Sequence, residues 1–102
     1  MDSIDNTPKE TLELRPAIGL TRGLPLADLE SLTVDAILCH RRLVARADAL
    51  FQELPDDYKS GKLVGGAQHL QFIEASLEMH AQMTVANTLI DILGYIPKIS
   101  AH

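Results

Sequence analysis

His40 and His80 are the residues of this chain best suited to proton transfer or metal binding, because imidazole changes charge near neutral pH. Each falls on or beside an apolar helical stripe, so the two could meet inside a helical bundle. Dinuclear bundles place Glu-x-x-His on their helices. Here Leu77 stands three residues before His80, and Ile37 three before His40, so that ligand pattern is absent. The plainer reading is a pair of interior or boundary histidines hydrogen-bonded to their neighbours.

The other candidates are weaker still. Glu74 and Glu78 share a helical face and could act as paired ligands or as an acid and base, yet no residue completes a catalytic set. Such pairs are mostly solvated acidic strips. Arg41, Arg42 and Arg46 form a basic patch without interleaved aromatic residues, and Asp35, Asp48 and Glu53 offset it. The run Gly61-Lys62-Leu63-Val64-Gly65-Gly66 lacks both the order of a phosphate loop and a preceding strand. Met79 and Met83 suit an adaptable surface, but at this spacing methionines are more often core. Cys39, the only cysteine, has no oxyanion site beside it and precludes an intrachain disulfide. Nothing in this set argues for an enzyme, a metal or a cofactor.

The elements that must position these residues are helices. Between Gly66 and Leu93, Phe72, Ser76, Met79, Met83, Ala86, Ile90 and Leu93 alternate steps of four and three, the seam of a helix packed nearly parallel to a neighbour. Leu70, Ile73, Leu77, Ala81, Val85, Leu89 and Ile92 form a second stripe. Gln71, Glu74, Glu78, Gln82 and Asp91 leave only a narrow polar strip, so this helix needs more than one partner. An earlier helix over 25–54 carries Leu29, Leu32, Ala36, His40, Leu43, Ala47, Leu50 and Leu54 on one face. Pro25 suits its first position, Asp28 and Glu30 suit its early turns, and Pro55 ends it. A short helix before a long one is the alternative, with Ser31 or Thr33 as the cap.

Asp56 to Gly66 is turn-rich and reverses the chain, so residues 55–66 read as a loop between antiparallel helices. The second helix spans 67–93, Gly94 caps it, and Pro97 prevents its resumption in the tail, 94–102. Residues 1–13 are polar and read as mobile. Over 14–24, Pro16, Gly19 and Gly23 argue for an extended arm without regular structure, anchored by Leu14, Ile18 and Leu20. Residues 1–24 are therefore read as an N-terminal arm.

The chain has 102 residues, a single domain's worth, with 46% hydrophobic and 4% aromatic content and a net charge of −5. That charge disfavours direct binding to nucleic acid and permits a basic partner. No apolar run is long enough for a membrane span, the N-terminus lacks the pattern of a signal peptide, and a cytoplasmic location is expected. A lone helical hairpin buries little. The fold expected is all-α: two long antiparallel helices per chain, pairing as a homodimeric four-helix bundle. Leu43, Leu50, Phe72, Met79, Met83, Ile90 and Leu93 are its expected core.

Read together, these stretches resemble the TraM family of quorum-sensing antiactivators. The resemblance runs through Glu13-Leu14-Arg15-Pro16, Ile18 to Pro25, Asp28-Leu29-Glu30 and His40-Arg41-Arg42-Leu43-Val44. It continues in Ile73-Glu74-Ala75-Ser76, Met79-His80-Ala81-Gln82-Met83, Asn87-Thr88-Leu89-Ile90 and Ile92 to Lys98. Phe72 departs from it, standing where the family has a tyrosine. The resemblance implies a dimer of two-helix chains that binds TraR, a LuxR-type activator, at its DNA-binding region. Promoter binding would be blocked and conjugal plasmid transfer repressed. Leu14, Leu20, Arg22, Asp28, Glu30, Glu74 and Glu78 are then the expected contacts, with acidic groups opposing a basic domain. The alternative is a helical-bundle metal-binding or enzymatic protein using His40 and His80.

Overall fold

The computed structural model describes residues 9–99, with side chains from residue 15 onward. Four helices follow in order: α1 (Lys9–Thr21), α2 (Leu26–Glu53), α3 (Asp56–Lys59) and α4 (Ala67–Leu93). The mobility expected of the first residues concerns, over 1–8, positions outside the described residues.

Where an extended arm is expected, the chain is helical. Pro16 lies inside α1 and removes one helical hydrogen bond. A proline within a helix costs about 3 kcal/mol relative to alanine, so tertiary contact must offset it. Packing of α1 against α4 supplies it; Thr21, 9% exposed, is buried there, and its hydroxyl donates within α1 to the Ala17 carbonyl at 2.8 Å. Gly23, at φ 82°, then turns the chain out of α1.

Pro25 sits one residue before α2, at its N-cap, and its carbonyl accepts the amides of Asp28 and Leu29 at 3.0 Å. The helix is unbroken for 28 residues, about 42 Å at 1.5 Å per residue. Thr33 starts no second helix. Fully buried, it donates its hydroxyl to the Leu29 carbonyl at 2.8 Å, the back-bonding that lets threonine sit inside a helix. The Leu54 amide bonds to the Phe51 carbonyl, and Pro55 stops the run.

The reversing loop contains the single helical turn α3, which the turn-rich composition does not announce. Two aspartates in its first turn and Lys59 in its last match the dipole. Gly94 ends α4 at φ 96°, with its amide on the Ile90 carbonyl at 2.8 Å.

Four contacts set the antiparallel register of α2 and α4. Gln68 donates to the Glu53 carbonyl at 3.0 Å, and Phe51 meets Phe72 at 5.4 Å between ring centroids. Further along, Arg46 pairs with Glu78 at 3.1 Å, and Gln82 donates to the Ala36 carbonyl at 3.1 Å. The interior between the two helices is built from small residues: Ala36 and Ala47 on α2, Ala75 and Ala86 on α4, with Leu54, Leu89 and Leu93.

The seam of α4 therefore runs between the two expected stripes: Ala86 and Leu93 belong to the first, Leu89 to the second and Ala75 to neither. Ala75, Ala86, Leu89 and Leu93 are its buried residues, and Gln82 reaches across instead of joining a solvated strip. The physical reason is that alanines let the two backbones approach closely, which pushes large side chains to the flanks. Of the expected bundle core, Leu93 is buried within the chain. Leu43, Leu50, Phe72, Met79 and Ile90 are half-buried, and Met83 is 38% exposed. The molecule is thin, 50 × 46 × 18 Å along its principal axes.

Candidate protein-binding surfaces

A hairpin closed by alanines leaves its bulky apolar groups on two flanks. On one flank α1 packs against α4, and with α2 it borders a groove of about 470 Å³. Leu20, Thr21, Leu32, Ala81, Val85 and Leu89 line it. Leu20 is 84% exposed and Val85 45% exposed, so its rim is apolar and open. The hydroxyls of Thr21 and Thr84 are spent on the backbone carbonyls of Ala17 and His80. They add little polarity to the lining. On the other flank a groove of about 430 Å³ runs between α2 and α4, past Val44, Phe51, Phe72, Met79 and His80. Leu70 and Leu77 extend the apolar surface along the outside of α4.

The expected contact residues do not converge on one patch. The side chain of Leu14 lies outside the described residues. Leu20 borders the first groove, and Arg22 is exposed in the turn that follows α1. Asp28 is exposed in the first turn of α2. Glu30, half-buried, accepts a 2.8 Å hydrogen bond from the Tyr95 hydroxyl, which folds the tail back along α2. That bond to a carboxylate, with slight desolvation and the nearby negative charge, raises the Tyr95 phenol above its ordinary range. Pro97 is buried beyond it.

Glu74 is exposed, whereas Glu78 is engaged by Arg46 in an exposed pair. About 24 Å of helix separates Glu30 from Arg46 along α2, so the acidic residues fall into two groups at different levels of the hairpin. His40 is half-buried and His80 exposed on the rim of the second groove. Among the described residues, no three histidine, cysteine, aspartate or glutamate side chains are gathered as metal ligands. The Glu30–Tyr95 bond and the Phe51–Phe72 contact are absent from the sequence reading. The one signal, for the second contact, is that Phe51 and Phe72 are the two phenylalanines of a chain with few aromatic residues.

A small all-α protein, narrow in one dimension and apolar along two flanks, is built to act through contact with other proteins. Comparison with known proteins gives the particular family: the family model for the prokaryotic transcriptional repressor TraM matches residues 1–98, and the chain belongs to that family. It is 64% identical over all 102 residues to the transcriptional repressor TraM of Agrobacterium fabrum strain C58, covering both chains completely. It is 60% identical over 99 residues to the protein of the same name from Rhizobium radiobacter, 97% of each chain. Among solved structures it is similar to a second quorum-sensing antiactivator, TraM2, from A. tumefaciens strain A6. That match has a TM-score of 0.84 and 62% identity, over 86% of this chain and 99% of the other. The family is regulatory and non-enzymatic. None of these relatives supports the metal-binding or enzymatic alternative for His40 and His80.

Proposed function

We propose that this protein is a stoichiometric antiactivator that binds TraR, a LuxR-type transcriptional activator, at its DNA-binding region. It keeps the activator from its promoters and so represses conjugal plasmid transfer. The observation that carries this reading is the 62% identity to a solved quorum-sensing antiactivator over nearly all of that chain. The open groove beside Leu20 is the surface we assign to the activator. Its apolar lining supplies most of the affinity, and Arg22 and Asp28, exposed nearby in the chain, tune specificity at the rim.

The second flank is assigned to self-association. Two hairpins facing each other through Phe72, Met79, Met83 and Ile90 make a homodimeric four-helix bundle, covering side chains that one hairpin leaves half-exposed or exposed. No helix of the described residues is long and apolar enough to cross a membrane. We assign its site of action to the cytoplasm, where activator and promoter meet.

Titration of a labelled operator tests the reading. Added to the activator–operator complex, the protein should release free DNA; added to the operator alone, it should leave the DNA unshifted. A direct shift would favour a DNA-binding repressor, which the net charge of −5 disfavours.

A further inference from the structure

The loop that leads into α4 is held by a histidine. Gly66, the N-cap of α4, has no side chain to satisfy the first turn. His69, the third residue of that helix, reaches back instead, and its Nδ1 accepts the Gly65 amide at 2.8 Å. This resembles the returning half of a capping box, in which a glutamate or glutamine at the third position accepts the N-cap amide, but the donor here is one residue earlier. Here the acceptor is an imidazole nitrogen, and it accepts only while it carries no proton. The ring is half-buried and tilted against Tyr58 of α3, 5.6 Å between centroids. Gly65 and Gly66 both adopt φ 90°. On the far side of the loop, the Leu63 amide donates to the Asp57 carbonyl at 3.0 Å. Between these two ties the chain displays Leu63 and Val64, 49% and 77% exposed.

We propose that His69 is a pH-operated latch on this loop: the neutral imidazole holds Gly65, and protonation releases it. Protonation turns Nδ1 into a donor facing a second donor. It also places a cation in the first turn of α4, where the helix dipole opposes it. Tyr58 is the titratable group that faces the ring. Asp56, Asp57 and Lys59 share its helix, Glu53 ends α2, and Lys62 lies in the loop. Among the described residues, none of these is ion-paired with His69 to offset the charge. Because Leu63 and Val64 ride on the same loop, acidification alters how an apolar tip is presented to a partner. The latch stands on loop geometry and is independent of the antiactivator reading.

Amide hydrogen exchange on the full-length protein tests it. Protection of the Gly65 amide, normalised to the intrinsic exchange rate at each pH, is measured at pH about 8 and about 5.5, a range over which imidazoles as a class change charge. Wild type is compared with His69→Gln and His69→Ala, and the Ala86 amide reports whether the fold persists. Wild type should lose about tenfold of its Gly65 protection at the lower pH, the equivalent of one hydrogen bond, while Ala86 stays protected. His69→Gln, whose amide oxygen accepts at either pH, should hold its protection at both. His69→Ala should be poorly protected at both. Unchanged wild-type protection would overturn the proposal, as would an acid loss that persists in His69→Gln or that Ala86 shares. A nitrogen-15 spectrum placing the proton on Nδ1 at the higher pH would overturn it as well.

Discussion

Ala75 shows what single residues decide in this protein. At 1% exposure it is the most buried apolar side chain among the described residues, with no space for extra carbons. Ala75→Leu should destabilise the fold by about 1–3 kcal/mol through overpacking, measured by urea unfolding. An unchanged midpoint would mean that the helices can part without strain. Tyr95 acts at the other end of the hairpin through one hydrogen bond to Glu30. Its phenol is raised above the ordinary value, so folding favours the protonated form. The stabilisation is present below the unfolded-state pKa and is lost as pH rises through the folded-state value, in the alkaline range above about 10. Tyr95→Phe should loosen the tail relative to wild type at neutral pH, read as faster exchange of the Ile96 and Lys98 amides. Wild type should match the variant only at strongly alkaline pH.

At the scale of elements, proline placement and caps are local signals that can be read directly. Pro25 and Gly94 adjoin the ends of α2 and α4, and Pro55 lies two residues past α2 as the N-cap of α3. The phase of α4 was not legible in the same way. Its apolar residues run nearly all round, so the bulky positions suggest several faces; Ala86 falls on one expected stripe, but Ala75, buried to 1% exposure, falls on neither. Gln82 illustrates the difficulty: a glutamine among leucines reads as solvent-facing until its cross-helix bond to the Ala36 carbonyl is seen. The arm fails for a different reason. Pro16 and Gly19 lower helix propensity locally, but packing of α1 on α4 overrides a penalty of that size. Pro16→Ala should therefore raise helix content in circular dichroism without lowering stability. Reduced helicity would show that the ring itself sets the angle of α1.

At the scale of the whole molecule, thinness is the governing fact. A body 18 Å across holds little more than one layer of helices, and Leu20, Leu77, Val85 and Met83 remain exposed. Single exposed apolar residues are ordinary, but contiguous apolar flanks mark interaction sites. Met83→Glu should reduce self-association, with the sedimenting mass falling toward the 11.2 kDa of one chain. Because Met83 is already part-exposed, the hairpin should keep its helicity. A wild-type protein that sediments as a folded monomer at micromolar concentration would remove the four-helix assembly.

Competition for the activator tests the central claim most directly. With operator-bound activator at fixed concentration, wild-type protein should release the DNA near stoichiometric equivalence. Leu20→Glu, which places a carboxylate at the rim of the α1 groove, should need at least about tenfold more, the loss of about 1.4 kcal/mol of contact energy. Its self-association should be unaltered. Equal potency of the two proteins would contradict the assignment of that groove. Failure of wild type to release the DNA at any ratio would contradict the proposed function itself.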